Sequence, residues 1–166
     1  MILDGIATQW SCGFTLISGW YIYHLIEYAF HKLGHYNHPY NYIYYLHKLH
    51  HTNYPMWDLI SPEYRGRKEG LIAYSIPSIF VSITLYLFLS YRTFIVIVVE
   101  LVCLMIISDI IHTQIHTSNS WLERFDWFKE NRRLHFIHHR RLDKNLSFAG
   151  LSHSVDKTLG TFKNNI

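Results

Sequence analysis

The chain has 166 residues, the size of one ordinary domain, and a formal net charge of +3. Hydrophobic residues make up 49% and charged residues only 16%, against roughly 25% in a typical soluble domain, which points toward lipid. Lys and Arg form no single dense patch, so a nucleic-acid reader is excluded.

In chain order, the first apolar stretch is Trp10 to Phe30, which carries Ser11, Thr15, Ser18, His24 and Glu27. It is read as a spanning helix, since a helix in a bundle needs only one face toward lipid. Met1 to Phe30 has no Lys or Arg and no cleavage pattern, so a removed signal peptide is not expected. Tyr36 to Tyr45, rich in Tyr and Asn, reads as an interfacial loop leading into a helix. Leu71 to Tyr91 is apolar and uncharged, long enough to cross about 30 Å of hydrocarbon, with Pro77 marking a kink or an entry. A turn at Arg92 and Thr93 leads to a second apolar run, Phe94 to Ile111, completing a helical hairpin. Cys12 and Cys103 sit in apolar stretches and read as packing residues.

This topology puts every one of the 15 Lys and Arg residues except Arg92 on one side, which the positive-inside rule makes cytoplasmic. The expectation is one all-helical domain over residues 1–166, an integral-membrane bundle of about three spans. Histidine-rich cytoplasmic helices would cap a dimetal site.

Histidine carries the functional argument. Of 13 histidines, ten fall in four clusters: His31 and His35; His47, His50 and His51; His112 and His116; His135, His138 and His139. Positions i, i+3 and i+4 share a helix face, so each cluster can aim its rings at a common centre. An HxxHH string arises by chance about 0.1 times in such a chain, and here it occurs twice. Ten neutral donors are too many for one octahedral ion and enough for two, so a dimetal centre is expected, and Fe, Zn and Cu all accept imidazole. Carboxylates are expected to orient the rings from behind. Glu27, Asp58, Asp109, Asp126, Asp143 and Asp156 are the candidates, with Glu27 four residues before His31 and Asp109 three before His112. His24, His38 and His153 stand alone and read as structural or surface residues. Arg132, Arg133, Arg140 and Arg141 flank the last cluster, as a contact for an acidic donor or lipid head group or as a solvated charge cluster. Trp57, Trp121 and Trp127 read as interfacial anchors.

The order HxxxH, HxxHH, HxxxH, HxxHH resembles the membrane-bound fatty acid hydroxylase and sterol desaturase superfamily, over Glu27 to Thr161. Glu27 to His31, Asp109 to His116, and Ser147-Phe148-Ala149 through Asp156 to Thr161 look closest to its fatty acid 2-hydroxylase branch. The first box has three intervening residues where that branch usually has four, and Val155 and Leu159 stand where it has Trp and Phe. The resemblance implies O₂-dependent hydroxylation of a lipid C–H bond, most simply on a fatty acyl chain, at two iron ions held by the ten clustered histidines. Glu27, Asp109 and Asp156 would support them. It also implies electrons from a cytochrome b5, ferredoxin or reductase, because no flavin, nicotinamide or haem motif is present. The location implied is the endoplasmic reticulum in a eukaryote or the inner membrane in a bacterium. Alternatives are a sterol or carotenoid oxidase or desaturase of the same superfamily, and a non-redox zinc-binding membrane protein. Zinc can also occupy such sites on purification.

Overall fold

The computed structural model describes residues 2–66, 69–147 and 151–165, with side chains for 13–66, 75–147 and 151–165. Its regular elements are all helical: α1 (Ile2–Gly34), α2 (Tyr42–Asn53), α3 (Glu69–Phe88), α4 (Tyr91–Ile115), a 3₁₀ turn (Trp121–Arg124), α5 (Asp126–Arg140) and α6 (Ser154–Leu159). With 33 residues, α1 is about 50 Å long and outreaches a hydrocarbon core of about 30 Å. Its last turn, bearing His31 and leading directly into His35, therefore extends beyond the apolar part of the helix.

Large apolar side chains point outward along three helices: Phe14 and Ile17 on α1, Phe80 and Leu87 on α3, Val99 and Ile106 on α4. Outward apolar faces of this extent are what a bilayer covers. Among the described residues α4 is the one helix long and apolar enough to cross a membrane, and the apolar run of α3 spans Ser75–Phe88. Cys103 also lies exposed on α4, which corrects its reading as a packing residue: α4 buries only one narrow face, and Cys103 is off it. Cys12 lies outside the residues described in side-chain detail.

Helix boundaries differ from the sequence reading for reasons of capping. The Ser90 hydroxyl accepts from Thr93 N–H, so the turn between α3 and α4 falls at Leu89 and Ser90 instead of Arg92 and Thr93. Pro77 lies inside a continuous α3. At its other end α4 runs past Ile111 to Ile115, which keeps His112 on the helix. Between α1 and α2, Asn41 caps α2 by accepting from Tyr44 N–H. Its amide also donates to the carbonyls of Leu33 and Tyr36 at 2.7 and 2.8 Å, folding α2 back beneath the end of α1. α2 has 12 residues, about 18 Å, far too short to cross a bilayer.

The loop after α2 is fastened to the end of α4 by Ser61 N–H to His116 O, 3.0 Å, and Ser118 N–H to Ser61 O, 2.9 Å. Ile111, Ile115, Leu122 and Phe128 form a small apolar core beneath this junction. A second, of Tyr28, Leu146 and Val155, seats the C-terminal segment against α1. Both flank the ends of α1 and α4, where the histidines lie.

Candidate metal centre

All ten clustered histidines converge between the ends of α1 and α4, α2 and α5. Two groups of four have ligand atoms within 4.8 Å of one another: His31, His35, His47 and His138; and His50, His112, His116 and His135. In the first group His31 Nε2 lies 3.2 Å from His47 Nε2 and 3.1 Å from His138 Nε2. His35 Nε2 is 2.9 Å from His47 and 3.2 Å from His138. In the second, His116 Nε2 is 3.0 Å from His135 Nε2, and the His50 and His112 ring centroids are 4.6 Å apart. His51 and His139 sit between the groups with centroids 4.3 Å apart. His51 reaches His47 at 3.0 Å, while His139 reaches His50 and His135 at 3.2 and 3.1 Å. The i, i+3, i+4 spacing on α2 and α5 produces this division, since it turns all three rings of each box to one face.

Proton positions decide what these short distances mean. The His31 Nδ1–H donates to the Leu146 carbonyl at 2.6 Å and the His138 Nδ1–H to the Lys144 carbonyl at 2.8 Å. A carbonyl can only accept, so in the neutral rings both Nε2 atoms carry lone pairs, and these face each other at 3.1 Å. Two lone pairs cannot bond each other; a cation between them resolves the conflict. Metal–nitrogen bonds of about 2.0–2.1 Å separate neighbouring ligand nitrogens by about 3 Å, the spacing found here. His116 and His139 repeat the pattern by donating from Nδ1 to the carbonyls of Leu59 and Tyr54 at 2.8 and 3.0 Å.

Burial opposes protonation as the alternative way of relieving the conflict. Desolvation, then the neighbouring His138, holds His35 down at about 3. Desolvation takes His116 to about 3 against the pull of the Leu59 carbonyl, and His138 to about 4 against that of the Lys144 carbonyl. Desolvation and the adjacent imidazoles likewise keep His31, His47, His50, His51, His135 and His139 well below the ordinary imidazole value. The cluster is thus a set of neutral nitrogen donors, the form a metal binds.

The carboxylates occupy different places. Asp156 is fully buried and accepts from the N–H groups of Leu146 and Ser147 at 2.8 and 2.9 Å, from the Thr161 hydroxyl at 2.7 Å and from His153 at 3.2 Å. Burial raises its carboxyl, but the hydrogen bonds from His153, Ser147 and Thr161 outweigh that and hold it well below the usual range. Its route to His31 is indirect: it fixes the turn whose Leu146 carbonyl receives the ring. Glu27, also buried, accepts from Ser108 at 3.0 Å, His24 at 3.3 Å and Tyr23 at 3.4 Å. Asp109, half-buried, lines a cavity between α1, α3 and α4 together with Glu27 and Ser108. The cavity walls are otherwise mainly apolar, formed by Ile26, Phe30, Val81, Leu101 and Met105. Asp58, Asp126 and Asp143 pair with Arg65, Lys129 and Lys144 near the surface. Of the lone histidines, His24 and His153 are the partners of Glu27 and Asp156, and His38 is exposed.

The fatty acid hydroxylase family matches residues 16–161. The chain belongs to that family. No curated protein and no solved structure matches it. Every paired box of this hydroxylase-family chain falls within the matched span, as does the cavity beneath. Sequence reasoning missed the groups behind the rings: the carbonyls of Leu146, Lys144, Leu59 and Tyr54 have no side-chain signature. It also missed Tyr54, whose ring stacks on His116 with centroids 4.0 Å apart. Arg132, read as a contact for an acidic donor or lipid head group or as part of a solvated charge cluster, donates to the carbonyls of Gln114 and Thr117 and to Glu123, closing the end of α4. Phe148 and Ala149, part of the resemblance, lie outside the described residues.

Proposed function

We propose that the chain is a multi-pass membrane hydroxylase that uses O₂ to oxidise a C–H bond of a lipid, with a fatty acyl chain as the substrate. Two iron ions would be held by His31, His35, His47 and His138 and by His50, His112, His116 and His135, with His51 and His139 between them. The observation that carries this reading is the pair of four-histidine groups, in which His31 and His138 of the first and His116 of the second give their Nδ1–H to carbonyls and so turn an unprotonated Nε2 inward. Iron bound there would supply the oxidising chemistry, in which R–H, O₂, two electrons and two protons give R–OH and water.

The protein's part is to bind, orient and exclude water. Backbone carbonyls hold four of the rings, His31, His116, His138 and His139, in one tautomer, and the buried site leaves little room for bulk solvent. The apolar cavity between α1, α3 and α4 reaches Glu27 and Ser108, each four residues before a clustered histidine, so a chain entering from lipid would arrive beneath the centre. Electrons would come from a cytochrome b5, ferredoxin or reductase docking on the cytoplasmic side, where Arg140 and Arg141 are exposed beside His139. The Ser147 to Thr161 segment supports placement near the fatty acid 2-hydroxylase branch, through the same Asp156 and Thr161 that brace the turn at Leu146.

Iron content and Mössbauer spectra of anaerobically prepared protein test the centre, with a coupled iron pair expected. Lipid extracts from expressing cells test the reaction: an oxygenated acyl product should appear and be lost with His50→Ala. Zinc-filled protein that forms no product after iron loading, or a product that persists in His50→Ala, overturns the proposal. An oxygenated or desaturated sterol or carotenoid would move the substrate within the same family.

A further inference from the structure

The two four-histidine groups draw unequally on the helices. α2 and α5 each contribute to both, through His47 and His50 and through His138 and His135, whereas α1 serves only the first group and α4 only the second. The relative placement of α1 and α4 therefore sets how the groups stand to each other. These helices pack side by side and run in the same direction toward the centre. Within their interface a hydrogen bond crosses from helix to helix, Ser108 Oγ–H to Glu27 Oε1 at 3.0 Å, with both residues buried.

The positions of that bond are informative. Glu27 and Ser108 are 81 residues apart, and the same separation relates His31 to His112 and His35 to His116. Gly19 and Glu100 keep it too: a Cβ at Gly19 would lie 1.9 Å from Glu100 Oε2, so the two helices touch there as well. The same register thus holds at both contacts, about two turns apart, and Glu27 and Ser108 lie one turn before the first clustered histidine of each helix. A slip of one residue would move a helix about 1.5 Å along its axis and turn its side chains by about 100°, taking His112 away from His50. Tyr23 O–H and His24 Nδ1–H also donate to Glu27, which keeps its carboxylate fixed in an apolar setting where such bonds are strong.

We propose that Glu27 and Ser108 are positioning residues that clamp α1 to α4 in register and so set the separation of the two metal sites. This rests on reading the ten imidazoles as holders of two metal ions. Glu27 acts across the interface on the geometry of the pair, beyond any support it gives to His31.

The test loads full-length wild type, Ser108→Ala, Glu27→Leu and Glu27→Gln with ferrous iron. It reads iron per chain, affinity and the coupling seen by applied-field Mössbauer spectroscopy. Glu27→Gln keeps a side-chain oxygen for Ser108 and should match wild type. Ser108→Ala and Glu27→Leu should lose about tenfold in affinity for one iron or show uncoupled iron. Should Glu27→Leu fail to fold, Ser108→Ala decides. A coupled wild type with Ser108→Ala unchanged in affinity and coupling overturns the clamp alone, whereas a wild type with no coupled pair overturns the proposed function beneath it.

Discussion

His31, His116, His138 and His139 each give their outward N–H to a main-chain carbonyl, so ring orientation is set by backbone and only indirectly by side chains. Asp156 is the residue most exposed to test at this scale, because it holds the two N–H groups flanking the Leu146 carbonyl. Asp156→Asn turns one acceptor oxygen into a donor and should weaken metal binding about 10–100-fold, measured by competition with a chelator of known affinity. Unchanged affinity would show that the turn holds without it. The imidazoles also predict a pH dependence for the metal-free protein. Unfolded histidines gain protons below about 6.5, while His138 resists to about 4 and His35 and His116 to about 3. Between those values the unfolded chain binds more protons, so stability should fall progressively as pH drops from about 6.5 toward 3. Denaturant titrations in detergent across that window would show it, and a flat profile would contradict the burial of neutral rings.

At the scale of elements, the end of α4 is braced by Arg132, which lies on α5 and donates to the Gln114 and Thr117 carbonyls at and just beyond the last turn. It also meets Glu123, itself part of the capping box begun by Ser120. Arg132→Ala should cost about 1–3 kcal/mol in thermal or chemical unfolding. Arg132→Lys should recover little, because an ammonium cannot span two carbonyls and a carboxylate as a fork does. The sequence reading missed this role because two arginines beside a histidine box look alike; only the fold separates half-buried Arg132 from exposed Arg140. Helix ends were similarly illegible. The stretch from Phe80 through Leu89 is uncharged and mostly apolar and the pattern resumes at Phe94, so the stop at Phe88 became visible only through the cap that Ser90 forms. By contrast the boxes on α2 and α5 were legible, since HxxHH has a helical reading that puts all three rings on one side.

For the whole molecule, long-range tie points matter most. The ten histidines come from four helices and the residues that end two of them, and metal binding would join segments that otherwise meet through small apolar clusters. Removing metal with a chelator should lower the melting temperature by several degrees or more, and ferrous iron should restore it, as binding to the folded state alone requires. Calorimetry or a fluorescence melt checks this, and indifference to the chelator would mean the fold holds the rings without an ion. The family and the histidine centre were legible at this scale because repeated boxes survive in the linear pattern. The pairing of α1 with α4 was not, because residues 81 apart leave no trace in a single chain.

Each group takes both members of its own HxxxH pair, the first ring of the HxxHH box that follows it and the second ring of the other box, while the third rings meet in the middle. Exchanging the N-terminal and C-terminal halves therefore maps one pocket onto the other, an approximate twofold relation hidden in an unrepeated sequence. Two cations held there would meet like sets of nitrogen donors, and a difference in their behaviour would have to come from what stands behind the rings or approaches them.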